Sequence, residues 1–187
     1  MVGVDEVGRG CLAGPLLVVA ARQKAKPPTG LRDSKLLSRK QRERLYPALI
    51  TSFEFGEGWV SASEIDKLGL GRGLRLGVKR ALDQVKPEHS EEIVIDGIVN
   101  YVPVTYSNSR CQVDADEFMP LVSAASIYAK VTRDRFMGIL SEKYPDYSFD
   151  RHVGYATARH FQAIEELGPI KSVHRLSFAP LRQLKLL

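Results

Sequence analysis

The chain has 187 residues, 44% hydrophobic and 26% charged, enough to bury the core of one soluble domain and too balanced for a disordered tail. No run approaches the roughly 20 apolar residues that span a bilayer, and a carboxylate pair follows Met1 almost at once, so neither an anchor nor a secretory leader is expected. The two cysteines, Cys11 and Cys111, form no disulfide framework or metal knuckle and suit buried thiols in a reduced, cytoplasmic setting, while a net charge of +5 favours a polyanionic partner.

In chain order, Val2-Gly3-Val4-Asp5 predicts a short strand that runs into a glycine turn, Gly8-Arg9-Gly10. Pro15 to Ala21 is β-branched enough for a buried second strand. Ser38 is placed to cap a basic helix over roughly 39–50, within a stretch (32–44) of local net charge +4. Phe53 to Ala62 predicts a third strand. Ser63 is expected to cap a helix with an apolar face, broken or slow to start near Gly69, Gly71 and Gly73, and ended by Pro87. Glu92 to Ile95 predicts a compact strand stopped by Asp96-Gly97, and Val102 to Tyr106 a further one. Phe118 to Leu140 reads as a long helix whose small residues (Ser123, Ala124, Ala125, Ser126, Ala129) permit close packing. A last helix is expected over Ala156 to Glu166, ending at Gly168-Pro169. The sum is an α/β chain: a mixed sheet with helices on its faces.

Asp5 follows Val2-Gly3-Val4, and Asp96 follows Ile93-Val94-Ile95. A carboxylate at the end of a buried strand loses hydration unless something compensates it. Two of them at one sheet edge repel, and a hard divalent cation is their natural partner. The competing reading of Asp96-Gly97 is an ordinary turn. Asp5 and Glu6 would point to opposite faces of a regular strand, so both reach one site only if the backbone leaves its pleat or the glutamate folds back. The glycine spacing misses the dinucleotide pattern by one residue, both at Gly8–Gly14 and at Gly71–Gly77.

The blocks Gly3-Val4-Asp5-Glu6-Val7-Gly8-Arg9-Gly10, Asp33-Ser34-Lys35, Ile95-Asp96-Gly97, Ser123-Ala124-Ala125-Ser126-Ile127, His152-Val153-Gly154-Tyr155 and His174-Arg175-Leu176-Ser177-Phe178 together resemble type 2 ribonuclease H (ribonuclease HII). They run in family order over nearly the whole chain. The resemblance implies a ribonuclease H-like, mixed five-stranded sheet flanked by helices. It implies a single domain over 1–187, with about 140–187 a helical appendage carrying Tyr155. It further implies four catalytic, metal-holding carboxylates, Asp5, Glu6, Asp96 and Asp116, working with two Mg²⁺ or Mn²⁺ ions. Where relatives show a lysine near the fourth position, this chain has Asp114-Ala115-Asp116, which makes Asp114 a rival to Asp116.

The same resemblance assigns the 2′-hydroxyl contact to the Gly8-Arg9-Gly10 backbone and the RNA-to-DNA junction to Tyr155. Lys35, Lys130 and Arg133 are candidate phosphate contacts, although Lys130 and Asp134 could equally be an i, i+4 pair. The expected activity is cleavage of the RNA strand of RNA/DNA hybrids and 5′ of single ribonucleotides in duplex DNA, leaving 3′-hydroxyl and 5′-phosphate ends, by a monomer. A type 3 ribonuclease H would be expected to carry an extra N-terminal domain and a lysine at Arg9. A non-catalytic nucleic-acid-binding module on the same fold is the alternative. His152, His160 and His174 lack zinc spacing and are expected to pack or to lie near phosphate.

Overall fold

Alternation along the strands decides which side chains meet which helices. In the computed structural model, which describes residues 1–31 and 36–184, β1 (Val2–Val7), β2 (Leu16–Gln23) and β3 (Phe53–Val60) run antiparallel in sequence. On the other side of β1, β4 (Ile93–Asp96) and then β5 (Ser109–Gln112) pair in parallel, giving the order β3-β2-β1-β4-β5. The helices are α1 (Arg39–Ser52), α2 (Ala62–Leu68), α3 (Leu70–Val85), α4 (Ala115–Phe118), α5 (Pro120–Lys143), α6 (Phe149–His152), α7 (Ala158–Leu167) and α8 (Ala179–Leu184). Val2, Val4, Leu16, Val18, Ala20, Ile93 and Ile95 face α3. The alternate residues Leu17, Val19 and Ala21 face α1 and α5. The residues over 93–96 thus read as a run of four without polar interruption until the last, as a strand covered on both faces should.

Both layers rest on close approach. A Cβ on Gly3 would lie 2.6 Å from the Leu121 carbonyl carbon, so α5 crosses β1 nearly in backbone contact. On the opposite face, Gly58 of β3 and Gly77 of α3 meet in the same way. The small residues Ser123, Ala124 and Ala125 are all buried where α5 crosses the sheet.

Several expected boundaries move. Val102 to Tyr106 is not a strand: Pro103 interrupts it, and Val104 is 97% exposed. The place beside β4 belongs to Ser109–Gln112, a polar edge strand held partly by Arg110 Nε on Glu92 at 2.7 Å. Such an edge shows no apolar alternation to find. The cap of the helix after β3 is Ser61, not Ser63: Ser61 Oγ accepts the Glu64 N–H while Glu64 accepts the Ser61 N–H. That helix breaks at Gly69 as expected. The long helix predicted from Phe118 is two, because Pro120 opens α5 at a position where its missing N–H costs nothing.

The last third of the described chain wraps its own apolar cluster, including Tyr147, Phe149, Ile164 and Leu181, around Met137 of α5. It also grips the segment after the glycine turn. Leu12 and Ala13 both donate to the Gly154 carbonyl, Gly14 donates to Val173, and Arg175 N–H donates to Leu12.

Candidate active site

Because β1 and β4 run parallel, their ends carry Asp5, Glu6 and Asp96 to one edge of the sheet. Asp5 is 8% exposed and accepts the Glu6 N–H at 2.7 Å. Asp96 accepts the Ala115 N–H at 2.8 Å, which docks the start of α4 against it. Burial, then the charge of Glu6 and that of Asp96, push the Asp5 carboxyl up to about 8, against an opposing hydrogen bond from Ser126. Asp116 lies in α4, 1% exposed, with Ser123 Oγ donating to its carbonyl; Asp114 precedes it in a left-handed conformation, φ 55°, on the surface. Asp116 is thus buried beside the Asp96–Ala115 contact and Asp114 is exposed, and neither lines the pocket over Asp5, Glu6 and Asp96.

The β1 ladder stays regular through Val7, so the chain leaves its pleat only at Gly8, φ +85°. Glu6 reaches the site edge by its length, with Arg9 Nη1 at 3.4 Å from Oε1. A Cβ on Gly8 would meet Arg133 Nε at 2.3 Å, so this corner needs glycine for conformation and for space.

The donor set fits a hard divalent cation. All candidate donors are carboxylate oxygens, and the most buried charge among those lining the pocket is destabilised by its neighbours, a cost that a cation offsets. Among the described residues no three acidic, histidine or cysteine side chains close into a cage. Mg²⁺ does not require one, since it binds through one or two carboxylates and keeps several waters.

A pocket of about 320 Å³ opens over these groups, lined by Asp5, Glu6 and Asp96, by the turn Gly8, Arg9 and Gly10, and by Lys130 and Tyr155. The sequence thus named most of the lining. Val7 of β1, Arg42 of the basic α1 and Ser126 of α5 complete it; Arg42 was visible only as one charge among several, and Ser126 stood in a family block with no role assigned to it. Lys130 is shared, since its Nζ pairs with Asp134 at 2.8 Å. Arg133 is not a phosphate contact: it is fully buried and donates to the carbonyls of Pro15, Val153 and Ala13. Lys35 lies outside the described residues.

His152, His160 and His174 pack rather than face the pocket. A carbonyl only accepts, so His160 donates from Nδ1 to Tyr155 at 2.9 Å and His152 donates from Nε2 to Tyr147 at 2.9 Å. His160 Nε2 then accepts from His174 Nε2 at 3.2 Å, while His174 Nδ1 accepts the Ile170 N–H and His152 Nδ1 the Gly154 N–H. Each ring is neutral with one fixed tautomer, and burial pushes His160 and His174 down to about 4. As pH falls below about 6.5 the unfolded chain takes up protons that the folded rings refuse until about 4. Stability contributed by these rings is therefore lost across that window, about 2 kcal/mol per ring by pH 5. Asp5 acts in the opposite sense, so the test is the slope in urea unfolding between pH 6 and 5. His174→Gln should flatten it by about 1 kcal/mol per pH unit; an unchanged slope would refute the neutral-ring assignment.

No helix among the described residues is long and apolar enough to cross a membrane. The model of the family described as Ribonuclease HII matches residues 2–181. A ribonuclease HII of Burkholderia mallei (strain SAVP1) is 43% identical over 185 residues, spanning 97% of this chain and 84% of that protein. Among solved structures, the complex of PCNA with RNase HII from Archaeoglobus fulgidus superposes with TM-score 0.79 at 28% identity, covering 95% of this chain and 94% of that one. The ribonuclease H2 of Pyrococcus horikoshii OT3 gives 0.76 at 25% identity, with 99% and 96% covered. Carboxylates at the ends of parallel strands, a glycine turn beside them and these likenesses converge: the chain belongs to the ribonuclease HII family and is a hydrolase with ribonuclease H activity on RNA/DNA.

Proposed function

We propose that the chain is an endoribonuclease that hydrolyses the RNA strand of RNA/DNA hybrids and also cuts 5′ of a single ribonucleotide in duplex DNA, acting as a cytoplasmic monomer and leaving 3′-hydroxyl and 5′-phosphate ends. The observation that carries this is one pocket shared by Asp5, Glu6 and Asp96, the Gly8-Arg9-Gly10 turn and Tyr155. Asp5, Glu6, Asp96 and Asp116 would hold two Mg²⁺ or Mn²⁺ ions, which supply charge stabilisation for the attacking and leaving oxygens of an in-line displacement. The protein's own part is position. The turn offers backbone N–H groups to the ribose, because Gly10 has open space where a side chain would stand. Lys130 and Arg42 present cations at the pocket wall to the phosphate backbone. Tyr155 is 41% exposed at the pocket, available to stack at the junction.

The test is cleavage of a DNA duplex holding one ribonucleotide, with Mg²⁺, with Mn²⁺ and with chelator, beside an all-DNA duplex and a full hybrid. A single cut 5′ of the ribonucleotide, lost with chelator, is expected. Tyr155→Ala should lower kcat/KM on that substrate about tenfold, the scale of one lost base stack, and lower it less on the full hybrid. Cleavage of the hybrid alone by the unaltered protein would remove the junction role. Tight binding with no cleavage of any duplex would leave the non-catalytic module in its place.

A further inference from the structure

Two arginines, Arg133 and Arg175, are 0% exposed, and among the described residues neither forms an ion pair. Burying a guanidinium without an ion pair is costly, and burial pulls Arg175 down to about 10 even with the Phe178 ring 5.3 Å from its Cζ. Apart from the Val153 carbonyl, which Arg133 also takes, what the two cations hold is one short stretch of chain. Arg133 takes the carbonyls of Ala13 and Pro15. Arg175 takes Gly14 twice, at 3.1 and 3.0 Å, and Arg9 through Nη1 at 3.0 Å.

The bond to Arg9 has a directional consequence. In a trans peptide the C=O and the following N–H point in opposite directions. Drawing the Arg9 carbonyl inward to Arg175 therefore turns the Gly10 N–H away from the guanidinium. Gly10 lines the pocket, and among the described residues no group accepts its N–H or that of Arg9. The sequence showed no such pairing, because residue 175 lies far along the chain and its partner is a backbone atom.

We propose that Arg175 is a positioning residue for ribose recognition: its bond to the Arg9 carbonyl fixes the Gly10 N–H toward the 2′-hydroxyl. This rests on the assignment of the Gly8-Arg9-Gly10 turn to that hydroxyl. Arg175 touches no substrate; it acts through the peptide plane, and its loss removes discrimination rather than general affinity.

The experiment compares binding in Mg²⁺ of two DNA duplexes, identical except that one carries a single ribonucleotide. It uses full-length Asp5→Asn protein with and without Arg175→Lys, which keeps a cation but cannot span both carbonyls as the fork does. Arg175→Lys should shrink the preference for the ribonucleotide duplex about tenfold, the loss of one well-aligned hydrogen bond. Affinity for the all-DNA duplex should change less than about twofold, because phosphate contacts are untouched. An unchanged preference, or an equal fall for both duplexes, overturns the proposal. No preference in the Asp5→Asn parent would instead overturn the turn assignment itself, and the proposal with it. Should Arg175→Lys fail to fold, the Gly10 amide resonance of the parent decides: it should shift with the ribonucleotide duplex and not with the all-DNA one, and equal shifts overturn the proposal.

Discussion

Asp5→Asn and Asp96→Asn are each expected to cut turnover by about a thousandfold or more while the protein stays folded. The reason is where these groups sit. Asp5 is buried against α5 within the central strand, with Glu6 and Asp96 as like-charged neighbours. A carboxylate in that place is a liability to the fold that a bound cation would offset. Replacing Asp5 by the isosteric amide keeps an acceptor for the Glu6 N–H and removes the repulsion. Asp5→Asn should thus melt at or above the wild-type temperature in chelator. Mg²⁺ should raise the wild-type melting temperature and raise that of Asp5→Asn little, because only the wild type gains free energy from binding. Asp96→Asn keeps the Ala115 N–H contact in the same way. Near-wild-type kcat in either variant would remove these residues from the metal site. Unfolding in chelator would show that Asp5 serves the fold instead.

The largest stability loss is expected at a residue with no side chain. A Cβ on Gly58 would sit 1.8 Å from the Gly77 carbonyl oxygen and 2.6 Å from its carbon. Neither is the movable tip of a side chain, so the whole of α3 would have to retreat from β3. That retreat opens the cluster of Val18, Val60, Leu74 and Val78. Gly58→Ala should cost about 3 kcal/mol or more and lower Tm by roughly 10 °C. Gly138 in α5 provides the contrast: nothing lies within 4 Å of its Cβ position, and Gly138→Ala should be neutral or stabilising by up to about 1 kcal/mol. Equal melting of Gly58→Ala and wild type would mean that α3 and β3 do not approach as closely as these positions require.

What the sequence disclosed and what it hid follow a physical division. An apolar strand ending in an acid is a local pattern, so Asp5 and Asp96 could be marked before any fold was known. Ser38 at the head of the basic helix is local too, and it closes a capping box with Gln41. The polar edge strand Ser109–Gln112 was hidden because its stability comes from a neighbour rather than from its own alternation. Arg133 was misplaced for a related reason. An arginine on a helix in a basic protein suggests phosphate, and only the fold shows three carbonyls converging on it. Ser126 and Arg42 join the pocket through packing of α5 and the course of α1, neither of which has a signature in composition.

The contacts between residues 8–14 and residues 154–175 bear on how the molecule is made. Synthesis runs from the N-terminus, so the glycine turn leaves the ribosome long before Gly154, Val173 and Arg175 exist. Leu12, Ala13 and Gly14 gain their partners Gly154 and Val173 only once those later residues have docked. A segment made early is therefore among the last to take shape. A nascent chain can carry its paired strands β1 and β2 while the turn between them is still unset, and nucleic acid near the ribosome meets no finished site until the late segment has folded.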